Sequence, residues 1–176
     1  EAIRNGGFYT NDGCWNSIMK FDNDDHIYRG RVETLIIKDG DSIFLRWLPK
    51  DNKNETRTYL IPGGSLSKDV SNADQAINEC REEARINVTN IRSSGITYKE
   101  YKDPPKWSKN RLPVNWNGNY TEVYIADFDS YYDGFINKTD IDSFMVKGKF
   151  FPIKSVYSQL RKEHKDALNA VYKNQY

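Results

Sequence analysis

A chain of 176 residues can bury one substantial core and is too short for a tandem of independent domains. Lys plus Arg at 26 against Asp plus Glu at 25 leaves a formal +1, which excludes a global field drawing the molecule to nucleic acid or anionic lipid. No stretch approaches the roughly eighteen apolar residues of a membrane span, no signal peptide opens the chain, and Cys14 and Cys80 alone cannot build a disulfide framework. A soluble, cytoplasmic protein is expected, its natural start lying upstream of Glu1.

Residues 1–27 are rich in Gly, Asn and Asp without a clear period and read as an N-terminal extension, a short hairpin or an arm packed on a main domain of residues 28–176. From Arg31 the texture changes: 31–38 and 42–48 are apolar runs around Asp39-Gly40-Asp41, the pattern of a β-hairpin. A third strand is expected over 56–61, stopped by Pro62-Gly63-Gly64. Ser71 or Asn72 can then cap a helix running to about Ile86, with Ala73, Ala76, Ile77, Cys80 and Ala84 on its core face. Strands over 95–102 and 120–128 flank the segment 103–119, which holds Pro104, Pro105, Pro113, Trp107 and Trp116, and whose length points to function. A last strand over 143–151 and an amphipathic helix over 155–172 complete the chain.

The chemistry is concentrated in Gly64, thirteen residues, then Asn78-Glu79-Cys80-Arg81-Glu82-Glu83-Ala84-Arg85-Ile86. On a helix Glu79, Glu82 and Glu83 stand at i, i+3 and i+4 and repel one another, an arrangement with no stability rationale unless water or a cation neutralises it. Carboxylate oxygens suit Mg²⁺ or Mn²⁺, and Mg²⁺ is commonly shared between a few carboxylates, water and substrate phosphates. A phosphoanhydride is then the natural substrate, and the Gly63-Gly64 backbone can come close to it.

These residues resemble the Nudix hydrolase family, whose box reads Gly, five residues, Glu, seven residues, then Arg-Glu-aliphatic-x-Glu-Glu-x-Gly-aliphatic. The register fits without a gap from Gly64 to Ile86, with Glu79, Glu82 and Glu83 at the metal-holding positions. Val70, Asn78 and Arg85 depart from it; with a Cβ at Arg85, the helix is expected to run about half a turn further, with Asn87 taking the left-handed position that ends it. The resemblance implies an α/β/α sandwich around a mixed sheet, and Mg²⁺- or Mn²⁺-dependent hydrolysis of a diphosphate bond in a small-molecule nucleoside diphosphate derivative. It also implies Arg46 as a basic residue toward phosphates, Tyr59 as an aromatic before the Gly-Gly turn, and Glu79 or Glu122 as proton acceptor, Glu122 being preferred to Glu100. Trp107 and Trp116 are either packing residues or a platform for a base or sugar. The three departures leave an alternative, a Nudix-shaped domain that binds a nucleotide or a protein and hydrolyses little. His26 and His164 are isolated in sequence and suggest neither zinc nor a Ser-His site.

Overall fold

The apolar run around residues 32–37 becomes the middle of the sheet. In the computed structural model, which describes residues 4–9, 17–21, 26–50, 57–103, 116–134, 147–173 and 175–176, β3 spans Ile27–Lys38 and β4 spans Ser42–Trp47. They pair antiparallel across the turn at Asp39 and Gly40, both at positive φ, as expected of this hairpin. Before them, β1 (Arg4–Tyr9) and β2 (Ser17–Phe21) form an antiparallel hairpin whose second strand pairs with β3, so the N-terminal region continues the sheet.

β5 (Tyr59–Leu60) pairs with β4, and β6 (Gly63–Ser65) with β3. After α1 (Asn72–Ala84), β7 (Ile86–Tyr101) starts at once and returns antiparallel to β8 (Trp116–Tyr131), which runs parallel to β3. β9 (Lys149–Pro152) pairs with β4 and leads into α2 (Ile153–Val156), a 3₁₀ turn and α3 (Lys162–Val171). Among the described residues the sheet is mixed and nine-stranded, with helices on both faces.

Alternation along β3 divides the core. Leu35 and Ile37 pack with Ile43, Leu45, Val123 and Ile125 beneath Leu160, Ala167 and Leu168 on the α3 face. Ile36 and Phe44 meet Cys80, Ala84 and Ile86, and Val32 meets Ala76 and Tyr124, on the α1 face. Each of the branched and aromatic side chains among these contributes about 1.5–3 kcal/mol by leaving water, and each alanine less.

Ser71 caps α1 as the sequence indicated, accepting from the Asp74 N–H at 3.1 Å, and Cys80 is fully buried. The far end differs from expectation. α1 stops at Ala84 and Arg85 itself adopts the left-handed conformation (φ 56°, ψ 43°), while Asn87 belongs to β7. The Arg85 N–H caps Arg81 O at 3.1 Å and its carbonyl accepts from the Tyr132 N–H at 2.8 Å, so tertiary bonds hold a conformation its Cβ disfavours. The terminal helix is broken as well: Leu160 is extended, and the Arg161 N–H goes to the Tyr59 hydroxyl (2.9 Å) instead of into a helical ladder. Strand 56–61 is reduced to Tyr59–Leu60 among the described residues, whereas β7 and β8 exceed the expected 95–102 and 120–128.

Candidate functional site

The Pro62-Gly63-Gly64 run lies against β3 with Gly63 opposite Glu33 and Gly64 opposite Val32. Opposed residues share a face, so position 63 looks toward α3 and position 64 toward α1. A Cβ on Gly64 would overlap the Glu79 carboxylate, and one on Gly63 would strike Val32 O at 2.7 Å and stand 3.3 Å from Arg31 Nη2. The two glycines therefore let side chains approach the backbone from both faces, a requirement of space rather than of positive φ.

On the α1 face, Glu83 Oε1 accepts the Gly63 N–H at 2.7 Å and Glu79 Oε1 accepts from Gln75 Nε2 at 2.7 Å. Burial, followed by the neighbouring Glu83 charge, pushes the Glu79 carboxyl up to about 7; Gln75 and Arg31 act against the rise, and Glu82 adds to it. A half-buried carboxylate disfavoured as an anion and flanked by two more suits a divalent cation, whose charge would reverse each of these penalties. Among the described residues no three His, Cys, Asp or Glu side chains stand in a ready-made metal cage, so Glu79, Glu82 and Glu83 would have to turn together around an ion. The i, i+3, i+4 spacing on one helix allows that by side-chain rotation alone.

Glu122 is half-buried on β8, on the same face as Tyr124 and hence α1, where Asn72 Nδ2 (3.3 Å) and Ser93 Oγ (2.9 Å) donate to its two oxygens. Glu100 lies on the opposite, α3 face and lines a cleft there. Arg46, opposite Leu60 on β4, alternates with Leu45 and so lies on the α1 face with the box. Tyr59, the aromatic before the Gly-Gly turn, lies on the α3 face and lines the same cleft; it is 6% exposed, its ring packs edge-on against Trp47, and its hydroxyl is taken by Arg161 N–H and His164 Nδ1 (2.6 Å). Trp116 is not brought to the box either. It is 7% exposed at the start of β8, six residues from Glu122, about 20 Å along a strand. Trp107 lies outside the described residues.

The α3 face holds what sequence reading missed. A cleft of about 270 Å³ is lined by Leu60, Ile61, Glu100, Gln159, Arg161 and Glu163, among others, and Glu33 and His164 form part of its wall. His164 Nε2 donates to Glu33 Oε1 at 2.6 Å, and the Tyr98 hydroxyl donates to the same oxygen. Burial would raise the Glu33 carboxyl, but the charge and hydrogen bond of His164, with Tyr98 and Arg31, hold it at about 2. The available signal was one acid inside the apolar run Val32-Glu33-Thr34-Leu35-Ile36-Ile37, which cannot be buried without a partner. The cleft meets the box at the turn, since Ile61 lines the cleft and Gly63 donates to Glu83.

No family model and no curated protein matches the chain. Solved structures do. A Nudix hydrolase from Nitrosomonas europaea superposes with a TM-score of 0.54 at 15% identity, over 85% of this chain and 92% of that one. The E. coli dihydroneopterin triphosphate pyrophosphohydrolase superposes with a TM-score of 0.55 at 10% identity, over 82% of this chain and 95% of that one. The fold of the chain is that of the Nudix hydrolases, an α/β architecture with a mixed sheet, as the box register implied. Among the described residues no helix is long and apolar enough to cross a membrane.

Proposed function

On this hydrolase fold, we propose that the protein hydrolyses a diphosphate bond in a small-molecule nucleoside diphosphate derivative, using Mg²⁺ or Mn²⁺. The observation that carries the reading is the junction at Gly63 and Gly64, where box carboxylates contact backbone glycines beside an open cleft. Glu79, Glu82 and Glu83 are the residues to hold metal. The ion would supply charge neutralisation on phosphate oxygens and a more acidic bound water. Glu122, on the same face, or Glu79, whose raised affinity for a proton suits a base near neutral pH, would accept the proton. Arg46 serves as a phosphate contact from β4, and Gly63 and Gly64 let substrate approach the backbone. The cleft over Leu60, Ile61 and Gln159 has room for the group beyond the diphosphate. The site is proposed to work in the cytoplasm.

The second reading, a domain that binds nucleotide without turnover, draws on the absence of a preformed metal cage among the described residues and on the Val70, Asn78 and Arg85 departures. A panel of nucleoside diphosphate derivatives, assayed with and without Mg²⁺ or Mn²⁺ for release of phosphate or nucleotide, separates the two. Metal-dependent turnover of any member supports the hydrolase; nucleotide binding with no turnover across the panel removes it.

A further inference from the structure

We propose that Arg31 is a phosphate ligand, gripping the diphosphate from the α3 side of the Gly63-Gly64 backbone while the box carboxylates address it from the α1 side. The inference rests on the reading above and assigns a residue to which neither the box pattern nor composition pointed.

Arg31 stands at the register position opposite Ser65, two residues from Glu33 on the same face of β3. Its Nη2 lies 3.3 Å from where a Cβ on Gly63 would be, so the guanidinium covers the glycine whose N–H is held by Glu83 on the far side. Two residues before Gly63, Ile61 forms cleft wall; opposite Gly63, Glu33 does the same. Arg31 is thus placed beside the turn at which the cleft wall gives way to the box.

A plain structural role explains little of this arrangement. Glu33 already has His164 and Tyr98 on one oxygen, and Glu79 lies across the backbone with Gln75 as its donor. A planar fork of N–H donors, half-buried beside the glycine turn, matches the geometry of two phosphate oxygens. A diphosphate lying from cleft to box would have oxygens on both sides of the glycine pair. Metal can neutralise those facing α1, and Arg31 is the cation placed against the glycine pair itself on the other side, with Arg161 further along the cleft wall. The glycines suit this design: a side chain at 63 would strike Val32 O and crowd the guanidinium, and one at 64 would displace Glu79.

The test uses the intact protein with Mg²⁺, methylenediphosphonate as a non-hydrolysable probe by calorimetry, and the best substrate of the panel by steady-state kinetics. Arg31→Gln is expected to weaken probe binding roughly ten- to a hundredfold and to lower kcat/KM by a similar factor, as for a lost charge-assisted pair. Arg31→Lys should recover part of the binding, because the charge remains and the fork is gone. If Arg31→Gln melts early, Arg31→Lys decides: a raised KM at unchanged melting temperature supports the ligand, and an unchanged KM overturns it. Wild-type binding of the probe that Arg31→Gln retains within twofold also overturns it, while metal-dependent turnover leaves the hydrolase standing. Probe binding that depends on Arg31, without turnover of any substrate, upholds Arg31 and removes the hydrolase. A wild-type protein that fails to bind the probe removes Arg31 as a phosphate ligand.

Discussion

Glu33, buried, and Glu79, half-buried, are glutamates on opposite faces of one sheet, and their surroundings drive them in opposite directions. Glu33 is pulled to about 2 because His164 and Tyr98 converge on it; Glu79 is pushed to about 7 because burial and two neighbouring carboxylates outweigh one amide donor. Burial raises both, so the difference lies in the partners supplied. A carboxylate whose partners are complete is a structural element. One left short of them is disfavoured as an anion until a ligand arrives, which is the signature of a site. The α3 face of β3 is thus tied together at Glu33, and the α1 face is poised at Glu79.

Substitution at Glu79 should break this comparison with the largest effect. Glu79→Gln is expected to reduce turnover of any panel substrate by about 10²–10⁴-fold, the range for a group that holds metal or takes the proton. The same variant should melt no earlier than wild type without metal, since an isosteric amide removes a repelled charge. Millimolar Mg²⁺ should raise the melting temperature of the wild-type protein by mass action and raise that of Glu79→Gln or Glu83→Gln much less. Equal Mg²⁺-induced shifts in all three proteins would remove the metal assignment.

Loss of the partner should act oppositely on the α3 face. His164→Ala leaves Glu33 buried with Tyr98 as its hydrogen-bond donor and the Arg31 charge nearby, and is expected to cost about 3–5 kcal/mol in urea unfolding, as for a broken buried pair. The Mg²⁺-induced shift of the folded fraction should persist, because no box residue has been touched. A cost under about 1 kcal/mol would mean that Glu33 finds other donors, and the distinction between the faces would fail.

The distinction was partly legible in the sequence. Spacing alone located the box, its Ser71 cap and the glycines beside it, because capping and helical periodicity are local rules. The Glu33 network was not legible, since His164 is 131 residues away and only the fold brings the pair together. The break at Leu160 has the same origin: Val156, Leu160, Ala167 and Leu168 are buried as their spacing required, yet the Arg161 N–H is diverted to Tyr59, 102 residues earlier. Local pattern set which residues face the core, and distant hydrogen bonds decided where backbone elements stop.

Acid titration sharpens the contrast further. The folded Glu33 carboxyl lies at about 2 against 4.5 for an unperturbed one, so the folded state binds that proton less readily than the unfolded chain. The stability this confers is fully present above about 4.5 and is lost as pH falls toward 2, with a total of about 3 kcal/mol. Urea midpoints of the wild-type protein should fall across that window, and those of Glu33→Gln should fall less steeply. Parallel slopes would show that Glu33 is not held down by its partners.

The smallest expected effect separates strain at the box from chemistry at the box. Arg85 ends α1 in the left-handed region, where a Cβ costs roughly 1–2 kcal/mol, and it is held there by the bonds to Arg81 O and from Tyr132 N–H, both made by backbone. Arg85→Gly keeps those bonds, relieves the Cβ, and among the described residues gives up a long side-chain hydrogen bond to Gly134 O at 3.5 Å. Unfolding should therefore become harder by about 1 kcal/mol, the usual scale when glycine replaces a residue strained at positive φ. Glu79, Glu82 and Glu83 lie within the preceding turns and their spacing is unaffected, so Mg²⁺ response and turnover should stay within about twofold of wild type. A stabilised Arg85→Gly with unchanged turnover would show that this departure from the box pattern burdens the fold and not the site. A loss of turnover with no loss of stability would place Arg85 in the site instead, and the α1 face would then need a cation at that end of the helix.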